Sequence, residues 1–144
     1  MSCIEKFVYA CELKNVEEVK GQIAEGVDIN ARSSDGLSGL SVAMHDNQVS
    51  TVKVLLACSN IRLDSTDYRS GWTGLHYACF LNTVESIDLF LAHPGCTKQI
   101  VRMKDRNGYT AQMLANKMGS FRRIKEFLEK TDNVWTGNDG LGND

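Results

Sequence analysis

No apolar run in this chain approaches the roughly 20 residues that a membrane-spanning helix needs. The opening "MSCIEKFVYACELK" is broken by Glu5, Lys6, Glu12 and Lys14, so no secretory signal is read there. An excess of one charge is also missing: 16 basic residues stand against 18 acidic ones, a net of −2. That balance argues against nucleic acid or an anionic membrane as the main partner. The five cysteines (Cys3, Cys11, Cys58, Cys79, Cys96) include no C-x-x-C pair. An odd count without a signal points to reduced thiols in cytoplasm or nucleus. Glycine-rich phosphate loops, a G-x-S-x-G elbow and an H-E-x-x-H pair are all lacking, so neither an enzyme nor a cofactor is expected.

What is present is a globular composition, 42% hydrophobic and 24% charged, in 144 residues. That is enough for one domain or one short repeat array. Self-similarity decides between them. Ala10, Ala43, Ala78 and Ala115 are separated by 33, 35 and 37 residues. The same three separations relate Val19, Val52, Ile87 and Ile124, then Ile23, Leu56, Leu91 and Leu128, then Val16, Val49, Val84 and Phe121. From each alanine to the last aliphatic of its unit the distance stays at 13 residues, so the extra residues of later units fall in loops.

Each constant segment reads as two helices. The first carries an apolar residue three before the alanine, as in Leu40 and Ala43, and the second has apolar residues at i, i+3 and i+7. Short polar links such as "LKN" and "HDN" imply antiparallel pairs. A pair leaves one apolar side uncovered, so the expected fold is an all-α solenoid of stacked helix pairs. Units are placed at about 2–35, 36–70, 71–107 and 108–130. The last has Gln112 and Asn116 on its first helix, as a polar cap would, and the first lacks its leading turn. Residues 131–144, with three aspartates, three glycines and no basic residue, are expected to form a flexible acidic tail.

"TGLHYA", Thr73 to Ala78, resembles the T-P-L-H-x-A signature of ankyrin repeats, whose period is about 33. "DGLSGLSVA", "NGYTAQMLA" and "EGVDINA" are similar to other segments of that family, and the resemblance covers Ser2 to Lys130. It implies an ankyrin-repeat solenoid whose helix pairs are joined by β-turn fingers. It also implies that Thr73 and His76 hold a helix start by hydrogen bonds, with Ser38 and Ser41 in those places one unit earlier. The family's proline is replaced by Gly39, Gly74 and Ala111. Proline at Gly39 or Gly74 is therefore expected to stabilise the fold by about 0.4–1 kcal/mol each.

The family binds proteins through turn tips and the ends of its inner helices. Carried onto this chain, those places give Leu13, Leu37, His45, Asp46, Arg69, Trp72, Phe80, Leu81, Arg106, Tyr109 and Lys117 as partner-binding residues. Glu12, Ser34, Asp35, Ser70, Asn107 and Met118 lie on the same concave face. Leu37, Trp72 and Tyr109 occupy equivalent positions and should form an apolar ladder. An alternative stays open, in which the 92–107 loop, with Ile100, Val101 and Met103, folds over the groove.

The function expected is a non-catalytic interaction module, monomeric, for a protein or peptide partner. Small ankyrin proteins that act as kinase inhibitors or as capping-protein regulators are similar, so a regulatory inhibitor is an alternative. A further one is a metal protein or enzyme using Cys58, His93 and Cys96, although one H-x-x-C and a lone cysteine fall short of a zinc ligand set.

Overall fold

The computed structural model describes residues 2–132. Among them it has nine helices and no strand beyond one isolated bridge, Arg32 to Ser38. The helices are α1 (Cys3–Glu12), α2 (Val16–Ala24), α3 (Gly39–His45), α4 (Val49–Leu56), α5 (Gly74–Leu81), α6 (Val84–Ala92), α7 (Lys98–Val101), α8 (Ala111–Leu114) and α9 (Met118–Asp132). Helices α1, α3, α5 and α8 pack in that order as an inner layer, and α2, α4, α6 and α9 form an outer layer behind them.

The repeat columns explain this layering. Val19, Val52, Ile87 and Ile124 are each completely shielded from solvent, one per outer helix. Burying such a side chain contributes about 1.5–3 kcal/mol. Ala43 and Ala78 are equally shielded, and Ala10 nearly so, which lets inner helices approach closely. Helix α4 contains four β-branched residues, Val49, Thr51, Val52 and Val54, and is a helix because packing outweighs propensity there. Capping is regular on the inner layer: Ser2, Ser38, Thr73 and Thr110 each accept a hydrogen bond from the amide three residues on.

The units are tied by their loops as well. The Thr83 hydroxyl donates to the Met44 carbonyl at 3.0 Å, and the Ser120 hydroxyl donates to the Cys79 carbonyl at 3.1 Å. Asn47 and Asn82, both left-handed with φ of 53° and 60°, end the inner helices of the middle units. Asn47 Oδ1 accepts from the Ser86 hydroxyl and Asn82 Oδ1 from the Ser120 amide, each in the following unit.

Three features depart from the sequence reading. Helix α8 is a single turn, and Ala115 is already extended with ψ of 108°; of its four residues only Ala111 is buried, so little packing supports a longer helix. Helix α7 forms inside the 92–107 loop, its Val101 in the core and its flank against α9. In the first unit α1 begins three residues earlier, in register, than the other inner helices, so an extra turn of helix replaces the leading turn. Helix α9 ends at Asp132, and the remainder of the expected acidic tail, 133–144, lies outside the described residues.

The proline expectation also fails on geometry. Gly39 and Gly74 are indeed the first residues of α3 and α5. A Cβ at Gly39 would lie 2.7 Å from Cys11 Sγ and 3.0 Å from Phe7 Cε2, and one at Gly74 would lie 2.8 Å from Met44 Sδ. The helix start is pressed against the bulkier second residue of the preceding unit's small pair. Added atoms overpack that contact, which costs about 1–3 kcal/mol and cancels the entropic gain.

Candidate interaction surface

The turns between units form a ladder. In each, a first residue pairs its amide with a carbonyl four or five residues on: Ser33 with Leu37 at 2.8 Å, Asp67 with Trp72 at 3.0 Å, Asp105 with Tyr109 at 2.8 Å. Gly36, Gly71 and Gly108 take the left-handed conformation that closes these turns. Successive turns then bond to each other, Tyr68 N–H to the Asp35 carbonyl and Arg106 N–H to the Ser70 carbonyl. At the N-terminal end, where no earlier turn stands, the Glu5 carboxylate accepts the equivalent amide of Ser34 at 2.9 Å.

Two buried carboxylates organise this ladder. Asp67 Oδ1 accepts the amides of Ser70 and Gly71 at 2.7 and 2.8 Å, while its Oδ2 accepts the Tyr77 hydroxyl. Asp105 Oδ1 accepts the amides of Asn107 and Tyr109, both at 2.8 Å, and its Oδ2 accepts the Trp72 indole N–H at 2.8 Å. Burial alone would raise both carboxyls. The hydrogen bonds outweigh it and hold each below its ordinary value. Burial and the bond to Asp67 push the Tyr77 phenol well above its usual range.

His76 links two units. Its Nδ1 accepts the Thr73 amide at 3.1 Å, Thr73 Oγ1 accepts the His76 amide at 3.3 Å, and Nε2–H donates to the Tyr109 carbonyl at 3.0 Å. These partners assign the neutral tautomer. Burial lowers the ring's pKa in the same direction. Cys79 is fully buried, its thiol pushed up to about 12 by burial, so nothing activates it as a nucleophile.

Anchored this way, four rings run along the inner surface. His45 meets Tyr77 edge-on at 5.6 Å, Tyr77 meets Trp72 at 5.0 Å, and Trp72 meets Phe80 at 5.4 Å. Trp72 also stacks on His76 at 6.3 Å, so it is half-buried rather than free. Leu37 is likewise half-buried against the core. Of the expected apolar ladder, only Tyr109 stands well exposed, at 49%. Phe80 and Leu81 at the end of α5, and Leu13 after α1, are exposed as well. The 92–107 loop does not cover them, since α7 packs against the outer helix α9.

Leu37, His45 and Asp46 line one hollow of ≈ 280 Å³ with Glu12 and Tyr77. Leu37 and Arg69 line its neighbour of ≈ 230 Å³ with Asp35, Asp67 and Tyr77. Arg106 is exposed on the third turn and Lys117 between α8 and α9. Neither hollow is lined by Arg106 or Lys117. Tyr77, Asp67 and Asp105 were missed by the sequence reading. The spacing of Ser33, Asp67 and Asp105 three or four residues before each turn glycine was the available signal for the two aspartates. The Cys58, His93 and Cys96 set does not assemble a metal site. His93 donates through Nε2 to the Leu56 carbonyl at 3.0 Å and accepts the Gly95 amide on Nδ1 at 2.9 Å. Among the described residues no three His, Cys, Asp or Glu side chains converge as metal ligands.

A family model for ankyrin repeats, in 3 copies, matches residues 7–102, two thirds of the chain. No curated protein matches it. The match ends before the fourth unit, the one whose inner helix has shrunk to a single turn. Ankyrin repeats generally mediate protein–protein interaction. Stacked helix pairs, turn ladder and sequence match agree, and the chain belongs to the ankyrin-repeat family.

Proposed function

We propose that the chain is a non-catalytic, monomeric module that binds a partner protein or peptide through its concave face. The observation that carries this reading is the continuous row His45, Tyr77, Trp72 and Phe80, fixed from below by buried aspartates and left open to solvent at Phe80, which is 45% exposed. Rigid aromatic side chains at a concave surface lose little entropy on binding, and Trp and Tyr are among the residues enriched in hot spots. Cys11 and Cys79 serve as buried packing residues in separate units, which fits a reducing compartment such as cytoplasm or nucleus.

The test is capture from cell extract on wild type and on a Phe80→Ala, Leu81→Ala, Tyr109→Ala variant. These three side chains are exposed, so the variant should melt with wild type. Trp72 is left intact because it is part of the packing. Partners held by wild type and lost by the variant support the concave face. Equal capture on both baits would sink the reading.

A further inference from the structure

The two hollows share Leu37 and Tyr77 and so form one groove. Its walls carry Glu12 and Asp46 on one side of Tyr77, and Asp35 and Asp67 on the other. No lysine or arginine lines the first hollow. Among the described residues, no ion pair engages Glu12 or Asp35, and Asp46 meets only the His45 ring, at 2.7 Å. Arg69 is the single cation of the second hollow. The field around Tyr77 is therefore negative, and Tyr77 lines both hollows with an aromatic ring, a group that attracts cations.

The wider charge distribution points the same way. Residues 1–50, which supply most of the first hollow, hold eight acidic and four basic side chains. The protein also seats one guanidinium on a ring elsewhere: Arg32 lies 4.6 Å from the Tyr68 centroid and is held by the Thr66 carbonyl.

We infer that this groove takes an arginine side chain from a basic segment of the partner, its guanidinium over Tyr77 and its N–H groups on Glu12 and Asp46. The inference rests on the concave-face reading and names the partner's chemistry. Arginine suits the site better than lysine because its planar fork stacks on a ring while bonding to two carboxylates.

The experiment is selection from a random peptide display library on the whole chain. The footprint of the selected peptides is then mapped by amide and indole NMR shifts. Arginine should be enriched, with shifts at His45, Asp46, Tyr77 and the Trp72 indole. Replacing the arginine by citrulline should weaken binding at least tenfold, as should a Glu12→Gln, Asp46→Asn variant whose melting matches wild type. Arginine-poor peptides that still map to the concave face would overturn the arginine site and leave the concave-face reading standing. Peptides that map elsewhere, or a library that yields no binder, would overturn both.

Discussion

At the scale of single residues, His76 gives a pH dependence whose sign can be worked out. Its Nδ1 must stay unprotonated to accept the Thr73 amide, and burial first of all lowers its pKa. The unfolded chain, with an ordinary histidine near 6.5, therefore takes up a proton before the folded one does. The stabilisation from neutral His76 is full above about pH 6.5 and is lost as the pH falls toward the lowered folded value. The urea midpoint should drop between pH 7.5 and 5. A His76→Gln variant should start lower but change less over that interval, and equal slopes would show that His76 is not the group responsible. Asp67 and Asp105 act further down. Their folded pKa values are depressed, so their contribution is present above the unfolded carboxylate value of about 4 and disappears as the pH falls through the folded one. An Asp67→Asn change should flatten that acid limb. It also leaves the Ser70, Gly71 and Tyr77 donors with a weaker acceptor, costing about 1–3 kcal/mol at neutral pH.

Between elements, the contact of α1 with α3 shows how neighbouring units set each other's sequence. Gly39 starts α3 against Cys11 of α1, and Cys11 is fully buried with its thiol pushed up to about 12. Either residue changed alone fails, by overpacking or by leaving a cavity. Gly39→Pro should destabilise by about 1–3 kcal/mol. Cys11→Ala should also destabilise, yet the double variant Cys11→Ala, Gly39→Pro should recover most of both losses, because volume removed on one helix is restored on the other. Chemical denaturation of the four proteins measures the coupling. Additive losses would mean that the Cys11 side chain is not what excludes proline from this helix start.

For the whole molecule, stability is a sum of unit and interface contributions along the stack. The middle units have neighbours on both sides, and their outer helices bury Val52, Ile87 and Phe90 completely. The fourth unit has an inner helix of four residues. Amide hydrogen exchange should therefore be slowest in α4, α5 and α6 and fastest in α8, with α1 and α2 between. Uniform protection over all units would instead indicate one cooperative block with no weak end.

The all-α stack was legible in the residues, because four columns of apolar positions share one set of spacings and helix pairs of that kind bury their open sides by stacking. The columns located the outer-helix core residue of every unit. The sequence also marked the apolar inner-helix ends Phe80 and Leu81, which stand exposed. Periodicity works there because each column feels one repeated environment. What happens where units meet was not legible in the sequence. A helix start reads as favourable for proline until the sulfur of Cys11 is placed 2.7 Å away. Trp72 reads as an exposed tip until its indole reaches Asp105, 33 residues along the chain, and its face stacks on His76. Tyr77 reads as an unremarked position inside a signature, and becomes the shared wall of the groove only because α3 and α5 lie side by side. Contacts between units depend on two side chains at once, and no single position in a repeat encodes its neighbour's size or its neighbour's hydrogen-bonding group.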